Sequence, residues 1–417
     1  MFCTVSRFFG SICSQVPRTN RIGLSLITCL SLSLLVGCGD PWTTMGGGNN
    51  HLGKNMAFQG MVEDTPDWTI QLPGYPNLQV SPIVSTGIRT IYLTTTKGRN
   101  MLHGIHRFDG GIYWSYDFGM GHTVGYPAVR KGSPGDQSSQ DRVYVAVASQ
   151  RGMAALYCFD AQQGGSMTGV QRLLWQTSFS ASNQIFWSPI VCRGRVYVGG
   201  GLAGGLTCFN ANTGALQWQQ PYGGPGQSWS PSYWQNIFTF TCGELRRHDP
   251  ITGTVQQSMS LPAGGTSNGT YSVVWGSDTY LVSDGQLRKV RLSTATVTWA
   301  TSGESITGVP AFDPTLRQVY AVNAGSLDAR NAQNGSLLWN FNPGDTIVGH
   351  TVLAQDMVYV STRDRVYGLN PATGSVLWQG LTGIPWGAQR WLLIYGKSQD
   401  GRLFVAGDPG VVRSFRK

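Results

Sequence analysis

The sequence predicts an all-β chain whose main part is one eight-bladed propeller, and three observations carry that prediction. Of 417 residues, 56 are glycine and 12% are charged, against roughly 7% and 25% in an ordinary soluble domain. A hairpin motif ending in Trp returns at intervals close to 40 residues, the length of a four-stranded propeller blade. The two ends of the repeat region then supply complementary fragments of one more blade. A seven-bladed ring is the alternative, if the irregular second unit is an insertion.

Composition also excludes other classes. A hydrophobic content of 41% excludes a disordered chain. Sparse charge excludes a long coiled coil, which needs charged flanks. The formal charge of +9 invites a nucleic-acid reading, but residues 1–37 hold three arginines and no acid, so the remainder carries +6. Basic clusters at Arg246-Arg247, Arg288-Lys289-Arg291, Arg363 with Arg365, and Arg413, Arg416 and Lys417 are spread over several units. Nucleic-acid sites show a denser stripe. A plain solvated rim is the favoured reading, an anionic membrane surface or an acidic partner is the better functional one, and no nucleic-acid partner is expected.

Taken in order, residues 22–36 form an apolar run of 15 behind Arg18 and Arg21. That is short of the ~20 residues of a membrane span but suits the core of a signal peptide. Leu35-Val36-Gly37-Cys38 follows at once and resembles the bacterial lipoprotein signal. The resemblance implies cleavage of a leader, residues 1–37, and acylation of Cys38. Gly39 after the cysteine favours the outer membrane under that sorting rule, with the folded part in the periplasm. Residues 38–66 are rich in Gly and Asn and read as a flexible tether.

The propeller is assigned to residues 67–417. Its clearest motif copies are Asn210 to Trp218 (NANTGALQW), Asn370 to Trp378 (NPATGSVLW) and Asn331 to Trp339 (NAQNGSLLW). Asp249 to Gln257 keeps the turn and loses the Trp; Arg291 to Trp299 keeps the Trp and has Ala295 for Gly. Asp109 to Trp114 reads as three residues short, and Asp160 to Trp175 as seven longer. Asn or Asp bonds its own backbone and Gly supplies positive φ, so each copy is a hairpin turn. Four residues before each turn stands an aliphatic: Ile105, Leu156, Leu206, Leu245, Leu287, Leu327 or Val366. Residues 390–417 supply three strands without a fourth, and the lone strand at Trp68 completes them, leaving no open seam.

Seven tryptophans hold the repeat position and are expected to pack between blades: Trp68, Trp114, Trp175, Trp218, Trp299, Trp339 and Trp378. Trp187, Trp229, Tyr271 and Trp386 precede inner strands, so they are expected to crowd one mouth of the axial channel, as a plug or a docking platform.

The D/N-x-x-T-G-x-x-x-W pattern resembles the tryptophan-docking repeat of the quinoprotein-like (PQQ-like) propellers. One branch of that family, the periplasmic quinoprotein dehydrogenases, holds pyrroloquinoline quinone and Ca²⁺ on the axis. Another, the outer-membrane assembly lipoproteins of the BamB type, is a scaffold without cofactor. Length, the motif at Cys38 and blade count resemble the second. The adjacent-cysteine pair of the dehydrogenases is missing, as is any CxxCH sequence. The resemblance thus implies a lipid-anchored, non-catalytic scaffold binding envelope proteins of the β-barrel assembly machinery. A quinone-dependent dehydrogenase or a small-ligand-binding propeller is the alternative.

No other motif survives its context. Gly199-x-Gly201-x-x-Gly204 lacks the helix a dinucleotide fingerprint needs. Gly265 to Gly269 lacks the strand-turn-helix of a nucleophile elbow. His103 and His106 point to opposite faces of a strand and cannot chelate together. No catalytic residue, metal site or cofactor is assigned. Cys158 and Cys208 occupy equivalent positions in adjacent blades, ~10 Å apart, and are expected as buried thiols rather than a bridge.

Overall fold

The computed structural model describes residues 43–417, except 56, 75–77, 86–88, 133–139, 150–152, 162–166, 183–185, 223–227, 242, 263–270, 382–389 and 396–399. The leader, Cys38, Cys242 and Trp386 therefore lie outside the described residues.

Short strands joined by tight turns give eight antiparallel four-stranded sheets. Blade 3 is typical: Ile190–Cys192, Arg195–Gly199, Leu206–Asn210 and Leu216–Gln220 pair in sequence order from inside to outside. Blades 1 and 2 follow the same plan with the inner strand broken in two. The inner strands of neighbouring blades touch one another and so surround an axis. Blade 8 joins Arg390–Tyr395, Arg402–Gly407 and Val411–Arg416 to Trp68–Gln71 from the other end of the chain. There Trp68 stands opposite Ser414, as Trp218 stands opposite Cys208 in blade 3. The ring therefore closes by sheet hydrogen bonds, and no seam edge is left for another chain.

Antiparallel order fixes what each face carries. The turns between first and second strands, and between third and fourth, open on one side, here called the turn face. The middle turns and the crossings to the next blade open on the other.

The irregular copies resolve into regular blades. In blade 1 the turn opens at His106, whose N–H donates to Gly111 O while Gly110 N–H donates to His106 O. Asn210, Ala215 and Gly214 make the same pair of bonds in blade 3. The copy thus runs from His106 to Trp114 at full length, and the reading from Asp109 is corrected. The equivalent aliphatic is Leu102, not Ile105. Asp109 misleads because it lies inside the turn, where its carboxylate accepts the Gly111 N–H. In blade 2 the extra residues swell the last turn, closed by Asp160 N–H donating to Arg172 O.

Blades are joined by tryptophans. Each of Trp68, Trp175, Trp218, Trp299 and Trp339 lies on the turn glycine of the next blade. A Cβ added at Gly110, Gly214, Gly253, Gly335 or Gly374 would fall 2.5 to 2.8 Å from the indole. These glycines also sit at φ between +73° and +77°, where L-residues are strained. The indoles of Trp68, Trp299 and Trp339 donate to the carbonyls of Arg107, Ala332 and Pro371, one residue past the turn opening. Trp114 lies under the Arg172 guanidinium at 5.6 Å, and Trp378 packs on Phe415 at 5.7 Å. Burying one such indole removes about 200 Å² from water, roughly 4–6 kcal/mol at most.

One joint differs. Between blades 4 and 5 the Trp position is Gln257, and the facing turn residue is Ala295 at φ +50°. A void of about 10 Å³ remains there, walled by Phe238, Leu245, Met259, Val290 and Leu292.

Candidate functional site: the strapped axial bore

Residues 43–66, expected as part of a flexible tether, are packed against the propeller. Thr44, Met45, His51, Asn55 and Phe58 are buried. The reason lies at the inner strands, whose axis-facing N–H groups have no sheet partner and need one. Val129 N–H donates to Thr43 O at 2.8 Å, Val191 N–H to Asn49 Oδ1 at 3.3 Å, and Tyr233 N–H to Asn49 O at 2.7 Å. Val274 donates to Asn50 O at 3.1 Å, Phe312 to Leu52 O at 2.9 Å, and Leu353 to Gly53 O at 2.6 Å. One N–H from each of blades 2 to 7 is thus taken by a single strap. Each contact lies in the last two residues of its inner strand, toward the turn face.

Two polar side chains fix the strap. His51 sits between two carbonyls, Nδ1 at 2.5 Å from Met45 O and Nε2 at 2.8 Å from Pro231 O. Burial opposes its positive charge and holds its pKa below the ordinary imidazole value. Lys54 Nζ donates to Asp313 Oδ1 at 2.5 Å, with both side chains almost fully buried. Beneath the strap, hydroxyls stitch inner strands together: Ser230 Oγ donates to Ser188 O at 2.6 Å, and Ser188 Oγ donates to Pro127 O.

Of the four residues expected at one mouth, Trp386 lies outside the described residues, and the other three are divided between two places. Tyr271 stacks on His51 at 4.2 Å and is 2% exposed. Trp187, half-buried, meets Tyr271 edge-on at 6.3 Å and stacks on Tyr126 at 6.1 Å. A Cβ at Gly46 would fall 2.5 Å from the Tyr271 hydroxyl, so only glycine lets the strap pass there. Trp229 is elsewhere, 2% exposed, with its indole N–H donating to Gly204 O at 3.3 Å and its ring near Tyr222. Trp187 and Tyr271 thus form a floor under the strap. Trp229 packs away from it.

Among the described residues, the turn-face end of the bore does not fit a quinone with its calcium ion. Chain residues take the axial space at the turn-face end, and the carboxylate meeting them, Asp313, is paired with Lys54. Among the described residues no group of three or more His, Cys, Asp or Glu could hold a metal. Cys158, Cys192 and Cys208 are free thiols, each pushed up to about 12 by burial, and so poor nucleophiles.

Sequence reasoning missed the strap. Its signal was the Asn49-Asn50-His51 group with Met45, Leu52 and Phe58 spaced among glycines, an unlikely content for a solvated linker. It also left Trp234 and Trp275 unassigned. They sit at 5.0 Å from each other on the turn face.

Residues 105–316 and 172–380 both match the family model described as outer membrane protein assembly factor BamB. The chain belongs to this family. Among solved structures, BamB from Moraxella catarrhalis is 19% identical with a TM-score of 0.58, over 86% of this chain and 98% of that one. The quinohemoprotein alcohol dehydrogenase from Comamonas testosteroni is 15% identical with a TM-score of 0.64, over 90% and 80%. Saccharomyces cerevisiae Sqt1 is 12% identical with a TM-score of 0.65, over 85% and 99%. At these identities the likeness is one of fold. No curated protein sequence matches the chain.

Proposed function

We propose that this chain is a lipid-anchored, non-catalytic propeller scaffold of the bacterial envelope. In this reading the leader 1–37 is removed, acylated Cys38 holds the protein at the outer membrane, and the propeller in the periplasm binds envelope proteins during β-barrel assembly. The observation that carries the non-catalytic part is the strap. It takes up axial space at the turn-face end, on the axis along which the resembled dehydrogenases hold their cofactor, which supports a structural role for its residues. The assembly role rests on membership of the family and is consistent with a ring that offers its loops and rim, not an axial cleft.

Co-purification from solubilised membranes, with mass spectrometry of partners and of the Cys38 peptide, tests it. Recovery of barrel-assembly components with an acylated Cys38 is expected. Recovery of none of them overturns the scaffold reading. Dye-linked oxidation of alcohols after addition of pyrroloquinoline quinone and calcium would establish the dehydrogenase instead.

A further inference from the structure

The strap fixes where the chain leaves the propeller. Met45 N–H donates to Ser188 Oγ, just before the inner strand of blade 3 and deep in the bore. Two residues earlier, Thr43 O accepts from Val129, next to the end of the blade 2 inner strand. Followed backward, the chain is therefore rising toward the turn face. Cys38 lies five residues before Thr43, and a chain spans at most ~3.6 Å per residue. Chain length then limits the Cα of Cys38, from which an acyl chain would extend, to within roughly 18 Å of Thr43.

The turn face has a surface suited to what the acyl group would enter. Its loop tips expose Trp275 at 38%, Ile251 at 61%, Val170 at 72%, Leu316 at 42% and Phe108 at 37%. Trp234 backs Trp275, and these two follow directly the residues that bond the strap, Tyr233 and Val274. On the opposite face, the exposed large hydrophobics among the described residues are Met120 and Met153. Cations stand beside these side chains, although Lys97, Arg99, Arg363 and Arg365 are exposed on the opposite face as well. Arg89, Lys131, Arg193 and Arg317, all on first turns, are exposed. The acids of those turns are mostly occupied: Asp313 by Lys54, Asp278 by Lys289 and Arg291, Asp141 by the Gly132 N–H and Asp356 by the Gly60 N–H. Among the described acids of those turns Asp400 is the exposed exception. Tryptophan with cations beside it is the composition favoured at a lipid headgroup layer, where the ring is half dehydrated and the cation meets phosphate.

We infer that the turn face is the membrane side of the propeller, its loop tips led by Trp275 resting on an anionic phospholipid surface beside the Cys38 anchor. This rests on the anchor reading above. It leaves the opposite face and the rim to protein partners.

The test uses the full acylated protein in vesicles of phosphatidylethanolamine and phosphatidylglycerol with brominated acyl chains. A polarity-sensitive fluorophore is placed through Ile251→Cys, Leu316→Cys or, on the opposite face, Met120→Cys, in protein with Cys192→Ser and Cys242→Ser; Cys158 and Cys208 are buried and do not compete. Strong quenching at 251 and 316 with none at 120 is expected, and Trp275→Ser should cut the quenching at 316 several-fold. Vesicle-bound, acylated protein with quenching at 120, or at none of the three, overturns the proposal while the anchor stands, the latter result favouring a protein partner on this face. A Cys38 peptide of unmodified mass, with protein that washes off the vesicles, removes the anchor reading and the proposal with it.

Discussion

The joint between blades 4 and 5 permits a quantitative test of how the ring is held. At five other joints an indole lies against a glycine at positive φ, with room for no Cβ. Here both partners are exchanged, to Gln257 and to Ala295 at φ +50°. Gln257→Trp alone would drive the indole into the Ala295 methyl at a separation near the 2.5 to 2.8 Å found elsewhere, an overpacking cost of about 1–3 kcal/mol. Ala295→Gly alone relieves left-handed strain of ~1 kcal/mol but loosens the unfolded chain by nearly as much, so its effect is small. Together they allow the indole to bury about 200 Å², an upper value near 5 kcal/mol. After ordering the side chain and losing the glutamine's contacts, a net gain of roughly 2 kcal/mol is expected. The coupling between the two sites should then be about 3–5 kcal/mol, and it is read by urea denaturation of wild type, both single variants and the double variant. A double variant equal to the sum of the singles within ~0.5 kcal/mol would refute the idea that indole and glycine act as one unit.

Burial holds His103, His248 and His350 at about 4, and His51 below its ordinary value. These groups take up protons on unfolding, so stability is complete above pH ~6.5 and falls as pH drops toward 4, by roughly 3 kcal/mol for each group at about 4; denaturation midpoints that stay level between pH 7 and 4.5 would contradict this. Lys54→Ala leaves Asp313 buried without its cation and should cost about 3–5 kcal/mol, with faster proteolysis of the strap. Gly374→Ala places a methyl 2.5 Å from the Trp339 ring in a left-handed turn, and a loss of at least ~2 kcal/mol in the same assay is expected. In native protein at pH 8, Cys158 and Cys208 should resist thiol reagents and react on unfolding; prompt labelling of either would contradict its burial.

The blade count was legible in the sequence because the turn, the aliphatic before it and the tryptophan after it are local, and each has one physical reason. The fragments at Trp68 and at 390–417 could be matched because a sheet edge has to be covered. The first copy was misplaced by a turn that opens at His106, since histidine carries none of the Asn or Asp signal. Gln257 and Ala295 looked like two unrelated lapses, because nothing in one repeat says that its tryptophan meets the next repeat's turn. The strap was illegible for a related reason: its partners are backbone N–H groups of inner strands, which leave no mark on side-chain pattern. Tyr271 and Trp187 could be placed near the axis by position, but what covered them came from more than a hundred residues away.

The strap and the strand at Trp68 also order events in time. Lys54 meets Asp313 at a separation of 259 residues, and Trp68 meets Ser414 across nearly the whole ring. The bonds that tie residues 43 to 71 to the ring therefore wait on blades that leave the ribosome, or cross a membrane, after these residues have done so. Middle blades can form as they appear, each supported by the one before. The earliest stretch must stay open until blade 8 arrives, because loop closure over such distances is favourable only when all partners are present. Keeping that glycine- and asparagine-rich stretch soluble while it waits is a demand on the sequence distinct from any it meets in the finished ring.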